Sequence, residues 1–325
     1  MPLPAPTQAP GCLREGASGP RRWLRAAREA GLFLALAAVV AALCARAYGF
    51  TAPNNLTKLL VDVSLVAIAG TGLTLVAVGG GLDVSVGSML ALASACSVLA
   101  VRGGAPAVAG LAIAVGVGLA LGALNGAVAA FTRVPSVVVT LGALVLYRRL
   151  FLALLGGEPI DGVPAGVRAL AAAEVLGVQA IVWIAIAVVA AAAAFLRWSA
   201  VGRRLRGAGE RPRGLSVFAF AACGATVGLV GFLWAGEYNV VETSLGRGFE
   251  LQVIAAVLLG GASLRGGTGS VLGTARGALL VGVLYNGMEL LDVPGVWRAA
   301  VFGTLLAIAL LVNEWLRWLT RCREG

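Results

Sequence analysis

The stretch AIVWIAIAVVAAAAAF, residues 180–195, is apolar at every position apart from the indole N–H of Trp183. A strand of a membrane barrel would alternate polar and apolar side chains, whereas this stretch is apolar on all sides and therefore predicts a helix. A hydrocarbon core about 30 Å thick is spanned by roughly 20 apolar residues in a helix. Because backbone groups in lipid must bond to one another, we interpret this stretch as a membrane-spanning helix.

Similar apolar stretches recur between residues 31 and 318, each bounded by Gly, Pro or Arg. The whole chain has 59% hydrophobic residues, 12% charged residues and a mean hydropathy of +0.94. These values predict an all-α, polytopic membrane protein with about ten transmembrane helices. The predicted spans are residues 30–48, 57–78, 84–101, 106–130, 136–155, 179–197, 214–235, 249–263, 270–291 and 296–317. The eighth is short, which is typical of a half-helix.

The domain organisation follows from these spans. Residues 1–29 begin with a Pro-, Gly- and Ala-rich segment and end in an Arg-rich one, and they are predicted to form a disordered basic cytoplasmic tail. Residues 30–318 form one transmembrane domain, and residues 319–325 form a second cytoplasmic tail. A basic segment before an apolar run also resembles a signal peptide, but the many later spans favour an uncleaved first helix.

Positive charge is distributed unevenly between the loops of this topology. The chain has a net charge of +10 and contains no His. Sixteen basic residues fall on the side of the two termini and six on the other, which predicts that both termini are cytoplasmic. The arginines lie beside apolar spans, so they indicate membrane topology and lipid contact rather than nucleic-acid binding. The five Cys form no CxxC pair, which argues against a disulfide framework or a metal site.

Polar residues beside helix-breaking glycines are the candidates for function. The segment VGGGLDVSVGSM, residues 78–89, places Asp83 between two spans, where it could cap a helix or face a cavity. Asn125 and Asn286 lie inside apolar spans, where each could bond a neighbouring helix or line a path. The candidate residues for a substrate path are Asp83, Ser85, Ser88, Asn125, Thr140 and Asn286. Glu250 and Arg247 are interpreted as a solvated pair at the entrance of a span.

Two glycine patterns concern the packing of the helices. Gly118, Gly122 and Gly126 recur every four residues, and small residues at this spacing allow close helix packing. The segments GGGLDVSVGSML (79–90) and GGASLRGGTGSVL (260–272) share a double Gly, a polar turn and Gly-Ser. They indicate either an internal repeat, as transporters often have, or chance similarity in a Gly-rich chain.

Nucleotide chemistry is not expected in this chain. A P-loop requires GxxxxGK[ST], and Lys58, the one lysine, lies in NNLTKLL without the required glycines. The segment GGTGSVLG (266–273) has the spacing GxGxxxG rather than GxGxxG. We therefore predict neither an enzyme activity nor a bound cofactor.

Three long segments carry a resemblance to a known family. They are NNLTKLLVDVSLVAIAGTGLTLVAVGGGLDVSVGSMLAL (54–92), GALNGAVAAFTRVPSVVVTLGALVLYRRL (122–150) and GRGFELQVIAAVLLGGASLRGGTGSVLGTARGALLVGVLYNGMELL (246–291). They occur in the order found in the permease subunits of sugar-type ABC importers, the ribose, xylose and galactose group, and the chain resembles this family over roughly residues 50–318.

The resemblance implies a function and a set of partners. Permeases of this family lie in the bacterial inner membrane and translocate a monosaccharide or similar small polar solute by alternating access. A second permease chain completes the pathway, as a homodimer or a heterodimer. A periplasmic solute-binding protein delivers the solute, and a cytoplasmic ATP-binding cassette ATPase hydrolyses ATP.

The chain departs from the family at two places. The loop after the sixth span, within VGRRLRGAGERPRGLSVFAF (201–220), is shorter than usual by about ten residues, which puts coupling to the ATPase in doubt. The charge of this loop indicates either a positive-inside topology signal or a docking surface for a cytoplasmic partner. The predicted docking residues are Arg203, Arg204, Gly207 and Glu210. Arg148-Arg149 stands where Arg-Gly is common.

Two alternative functions remain open from the sequence. A secondary transporter driven by an ion gradient would need intramembrane carboxylates, for which Asp62 and Glu289 are candidates near the ends of predicted spans. A decoupled, degenerate permease subunit would explain the shortened loop.

Overall fold

A computed structural model describes residues 19–132, 134–207, 212–263 and 266–321 of the chain. The predicted all-α class is confirmed. The helices are α1 (Gly19–Arg46), α2 (Pro53–Val78), α3 (Val86–Arg102), α4 (Ala107–Phe131), α5 (Ser136–Leu155), α6 (Ala165–Ala171), α7 (Ala180–Trp198), α8 (Ala200–Arg206), α9 (Arg213–Tyr238), α10 (Phe249–Leu259), α11 (Val271–Leu290) and α12 (Gly295–Arg321). The strands are β1 (Ile160–Asp161), β2 (Glu174–Val175), β3 (Val178–Gln179) and β4 (Val240–Val241).

A helix lies at each of the ten predicted spans. In the described part of the chain, 6 helices are long and apolar enough to cross a membrane, and the apolar segments of α1, α3, α10 and α12 are shorter. The predicted short eighth span is α10, which has 11 residues. The short helices α6 and α8, of 7 residues each, were not predicted, because seven residues give too little hydrophobic periodicity.

The prediction for the N-terminal tail needs correction in its second part. Helix α1 begins at Gly19, so residues 19–29 have helical backbone rather than the disorder predicted for residues 1–29. Arg, Ala and Leu, which favour helix formation, make up most of this segment. Residues 1–18 lie outside the described residues.

Helix α2 lies at the centre of the bundle. Within its most apolar window 83% of the residues are buried, against 22% or less for α4, α5 and α7. Helices α7, α9, α10 and α11 all pack on α2. The surrounding helices consequently present apolar side chains outward, as hydrocarbon requires.

Proline and glycine set the ends of several spans. Pro53 occupies the first turn of α2, and Pro135 immediately precedes α5. Gly156, at a φ of 66°, ends α5 in the left-handed conformation that glycine adopts without steric cost. On the same side, β1 pairs with β4 and β2 pairs with β3, both antiparallel, in the segments between spans.

The glycines predicted to pack helices lie between α4 and α9. A Cβ atom on Gly118 would overlap the carbonyl oxygen of Gly224, and one on Gly122 would overlap that of Phe220. A Cβ atom on Gly126 would lie 2.8 Å from the Cα atom of Val217. The backbones of α4 and α9 are thus in direct contact, which is how small residues at a spacing of four associate membrane helices.

Candidate functional site

The chain is not helical between α2 and α3, at residues 79–85. Two side chains of α5 bind the backbone of this segment. The N–H of Leu82 donates to Ser136 Oγ at 3.1 Å, and the N–H of Val84 donates to Thr140 Oγ1 at 3.1 Å. Non-helical backbone at membrane depth is tolerated only where protein groups satisfy it, and α5 supplies these groups.

A polar network connects this segment to α4 and α5 through Asp83. Its Oδ1 atom accepts hydrogen bonds from Ser85 N at 2.9 Å and from Ser85 Oγ at 2.6 Å. Asn125 Nδ2 donates to Ser85 Oγ at 2.9 Å and, at 3.3 Å, to the second carboxylate oxygen of Asp83. The Tyr147 hydroxyl donates to Asn125 Oδ1 at 2.8 Å. We call Asp83, Ser85, Asn125 and Tyr147 the Asp83 network.

The Asp83 network is closed to solvent. Asp83 and Ser85 have no exposed surface, and Asn125 and Tyr147 are 2% exposed. A carboxylate at such a position is tolerated only when hydrogen bonds replace its water shell, and Ser85 and Asn125 provide them. In this conformation the network fixes residues 79–85 against α4 and α5.

The structure brings together four of the six predicted path residues, namely Asp83, Ser85, Asn125 and Thr140. Ser88 lies one turn further along α3 and is 1% exposed. Asn286 lies elsewhere, as described below.

Asp83 does not cap α3, which was one of its two predicted roles. The residue at the N-cap is Ser85, and its side chain caps no N–H group of the helix. The Asp83 carboxylate instead binds Ser85 itself and Asn125 of α4. The difference arises because α3 begins at Val86, so Asp83 lies two residues ahead of the N-cap, where its carboxylate reaches Asn125 of α4.

Asn286 joins α11 to the first part of α2. Its Nδ2 atom donates to Asn55 Oδ1 at 2.8 Å, and Asn55 Nδ2 donates back to Asn286 Oδ1 at 3.0 Å. One turn away on both helices, Lys58 Nζ lies 2.6 Å from Glu289 Oε1. Asn286 therefore makes the interhelical bond that was one of its two predicted roles.

The carboxylates considered for a gradient-driven transporter lie in the same region as this amide pair. Asp62 accepts a hydrogen bond from the Tyr238 hydroxyl of α9, and Glu289 forms the ion pair with Lys58. Both carboxylates thus bind a neighbouring helix near one end of the bundle.

The chain turns in the same way at the two segments that share the double glycine. Gly80 ends the turn after α2 with a φ of 77°, and Gly261 ends the turn after α10 with a φ of 101°. After α2, the N–H of Gly79 donates to Leu75 O at 2.9 Å and that of Gly81 donates to Val76 O at 3.0 Å. After α10, the N–H of Gly260 donates to Ala256 O at 2.9 Å and that of Ala262 donates to Val257 O at 3.1 Å. Each turn thus binds the last helical carbonyls in the same order. The ends of α3 and α11 show the same bonds, so this turn is a common way to end a helix and does not distinguish an internal repeat from chance similarity.

The segment that follows the second turn contacts the end of α2. The N–H of Gly267 donates to Val78 O at 2.9 Å, next to the end of α2. One turn back, the hydroxyl groups of Thr74 and Thr274 lie 2.7 Å apart in a buried hydrogen bond between α2 and α11. The two segments therefore lie side by side at one end of the central helix.

A short helix lies beneath these turns. Helix α8 is capped by Ser199, whose Oγ atom accepts from Gly202 N at 2.8 Å. Leu205 of α8 is fully buried, and its Cδ2 atom would lie 3.6 Å from a Cβ atom on Gly79. Helix α8 consequently touches the turn that leads into the Asp83 network.

The predicted docking residues lie on and after α8. Arg203 and Arg204 are exposed, and Arg203 Nη1 donates to the carbonyl oxygen of Trp198 at 2.6 Å. Gly207 follows the last residue of the helix. Glu210 lies outside the described residues. The shortened loop thus retains a short basic helix.

Three residues of these contacts, Ser136, Tyr147 and Asn55, were not predicted from the sequence. Ser136 and Thr140 are four residues apart on α5, a spacing that places them on one face and could have indicated a joint role. Tyr147 and Asn55 gave no signal, because each binds an asparagine on a helix whose position the sequence does not reveal.

Glu250 and Arg247 do not form the predicted interfacial pair. Glu250 Oε1 accepts from the N–H of Gly248 at 3.2 Å, and the arginine that attracts Glu250 is Arg148 of α5. Arg148 Nη1 donates to the carbonyl oxygen of Leu245 at 2.5 Å. The segment before α10 therefore lies against the middle of α5.

These features define a polytopic helical membrane protein in which a central helix and a half-helix each end in a glycine turn. A family model described as the branched-chain amino acid transport system permease component matches residues 55–310. The chain belongs to this family, and its curated relatives place it among the permeases of sugar-type ABC importers.

The proteins similar to this chain include permeases of autoinducer 2 import systems. The autoinducer 2 import system permease protein LsrC of Yersinia pseudotuberculosis serotype O:1b (strain IP 31758) is 32% identical over 300 residues, covering 89% of this chain and 86% of its own length. The proteins of the same name from Yersinia pseudotuberculosis serotype O:3 (strain YPIII) and Yersinia pestis (strain Pestoides F) match with the same identity and coverage. No solved structure matches the chain.

Proposed function

We propose that this chain is the membrane-spanning permease subunit of an importer that moves a monosaccharide or a similar small polar solute, such as autoinducer 2, across the bacterial inner membrane. The observation that carries the proposal is the match to autoinducer 2 permeases over 86% of their length. The buried polar groups at the break between α2 and α3 support it, because transporters commonly place solute sites at interrupted helices.

Alternating access is the proposed mechanism, with residues 79–85 as the segment that changes. Non-helical backbone held by side-chain bonds can exchange those bonds for bonds to a solute, whereas a continuous helix cannot. In the proposed open state, Asp83, Ser85, Ser88, Asn125 and Thr140 face the solute. Asn286 is assigned instead to holding α2 and α11 together.

The proposed partners follow from the family and from the absence of a P-loop in the sequence. A separate cytoplasmic ATPase supplies the energy, a periplasmic binding protein delivers the solute, and a second permease chain completes the pathway. The basic surface of α8 is the proposed ATPase contact, since Leu205 connects this helix to the turn at Gly79. This assignment places both chain termini in the cytoplasm, in agreement with the distribution of arginines.

The test is solute uptake by the purified complex. The chain is purified in mild detergent with its co-purifying partners and reconstituted into proteoliposomes that contain ATP. Labelled ribose, xylose, galactose and autoinducer 2 are offered with the binding protein. We expect ATP-dependent uptake of at least one of them, and loss of uptake when ATP is replaced by a non-hydrolysable analogue.

Two outcomes would contradict the proposal. Uptake that persists without ATP and disappears when ion gradients are collapsed would identify a gradient-driven transporter. Purification of the folded chain without any P-loop ATPase, together with no uptake, would identify a decoupled subunit.

A further inference from the structure

Arg149 is an exposed charge within an apolar span. It lies six residues before Leu155, the last residue of α5, and its side chain is exposed. At 1.5 Å per residue this is about 9 Å from the helix end, which lies within the hydrocarbon if the 20-residue length of α5 matches a core about 30 Å thick. Among the described residues, no hydrogen bond or ion pair joins Arg149 to the rest of the chain.

The surface around Arg149 on α5 is otherwise apolar. Val145 and Leu146, one turn before it, are 58% and 53% exposed, and Leu150 is 47% exposed. If this face contacted lipid, the guanidinium would be transferred into hydrocarbon, which is unfavourable for a charge without a polar partner. Arg149 therefore needs water or a polar partner at this depth.

Polar groups from another part of the chain lie beside this portion of α5. The adjacent Arg148 binds the carbonyl oxygen of Leu245, within the non-helical segment before α10. Arg247 and Glu250 follow this contact in the chain, two and five residues after Leu245. Arg247 is exposed. A non-helical segment at this depth is itself tolerated only where it is buried in protein or faces a water-filled cavity.

We propose that Arg149, with Arg148, Arg247 and Glu250, forms an electropositive wall of a hydrated solute pathway, and that this wall selects oxygen-rich neutral or anionic solutes against cationic ones. The proposal rests on the importer function proposed above, in which a second permease chain closes the opposite side of the pathway. Three arginines against one glutamate leave an excess of positive charge, which repels ammonium groups. Guanidinium N–H groups donate to hydroxyl, carboxylate or phosphate oxygens of a solute.

Cysteine accessibility tests whether this face is hydrated. Arg149→Cys is made in a background without the native cysteines, and the reconstituted complex is treated with a membrane-impermeant methanethiosulfonate. The matched control is Ile186→Cys on α7, where Ile186 is 54% exposed. Ile186 lies six residues from Ala180, the first residue of α7, and residues 156–179 connect this end of α7 to the end of α5. Positions 149 and 186 are therefore at similar distances from the same side of the bundle. Tyr48→Cys, in a fully exposed position between α1 and α2, sets the rate for open water.

We expect the thiol at position 149 to react within about tenfold of the rate at position 48, and the thiol at position 186 to react at least about a hundredfold more slowly, because hydrocarbon excludes the charged reagent. Equal, slow labelling at positions 149 and 186 would overturn the proposal, because Arg149 would then lie against lipid and extend its side chain to the membrane surface.

Uptake by charge variants tests solute selection independently. With the solute found in the uptake assay, Arg149→Lys should retain transport within about twofold, whereas Arg149→Glu should reduce it at least about tenfold, because the carboxylate has no N–H donor for solute oxygens and reverses the local charge. Transport by Arg149→Glu at the wild-type rate would exclude contact between this side chain and the solute. Absence of uptake by the wild-type complex would contradict the importer function instead, while the labelling result would still stand.

Discussion

Removing the side chain at the centre of the Asp83 network should destabilise the protein measurably. Asn125→Ala deletes the bonds to Asp83 Oδ2, to Ser85 Oγ and from the Tyr147 hydroxyl, at 3.3, 2.9 and 2.8 Å. Interhelical hydrogen bonds in membrane proteins average about 0.6 kcal/mol and reach about 1.7 kcal/mol. The loss of these three hydrogen bonds should lower the free energy of unfolding by about 2–5 kcal/mol. We expect a value in the upper part of this range, because a buried carboxylate oxygen of Asp83 loses its donor.

The measurement is reversible unfolding of the chain in bicelles by steric trapping, with Ser64→Ala as the matched control. Ser64 is also buried in a span, but its hydroxyl bonds to Leu60 O of its own helix at 2.6 Å, so its loss should cost about 0.5 kcal/mol or less. Tyr147→Phe should cost about 1 kcal/mol alone and show a similar coupling energy with Asn125→Ala in a double-mutant cycle. If Asn125→Ala is no less stable than the Ser64→Ala control, or if the coupling energy is zero, the network does not hold residues 79–85 in place.

Three further perturbations test other contacts. Gly122→Ala should lower the melting temperature, because the new methyl group overlaps the Phe220 carbonyl. Gly116→Ala on the same helix meets open space and should leave the melting temperature unchanged. Equal melting temperatures for the two variants would contradict direct contact between α4 and α9. Asn286→Ala should cost about 1–2 kcal/mol of stability while the uptake rate per folded molecule is unchanged, and a large fall in that rate would return Asn286 to the solute path. Arg204→Gln should reduce recovery of the ATPase in co-purification without altering the melting temperature, and full recovery would place the docking surface elsewhere.

The sequence predicted the spans well because hydropathy is a property of local composition. The break at residues 79–85 was also predictable, since three consecutive glycines cannot be a stable helix interior. The partners of the polar residues were not predictable, because they depend on which helices are neighbours. Asn55 and Asn286, for example, are 231 residues apart in the chain and bind each other. The same limitation explains why Glu250 was assigned to its near neighbour Arg247 rather than to Arg148 of a distant helix.

The direct contact between α4 and α9 has a mechanical consequence. Where backbones touch without intervening side chains, two helices cannot slide or rotate against each other without steric overlap, so α4 and α9 move as one rigid unit. This rigid unit includes Asn125 on α4, whereas Asp83 lies on the non-helical segment 79–85, outside the unit. A change in the shape of the bundle must therefore be accommodated at non-helical segments such as residues 79–85. The hinge of the molecule would then lie beside the buried carboxylate of Asp83.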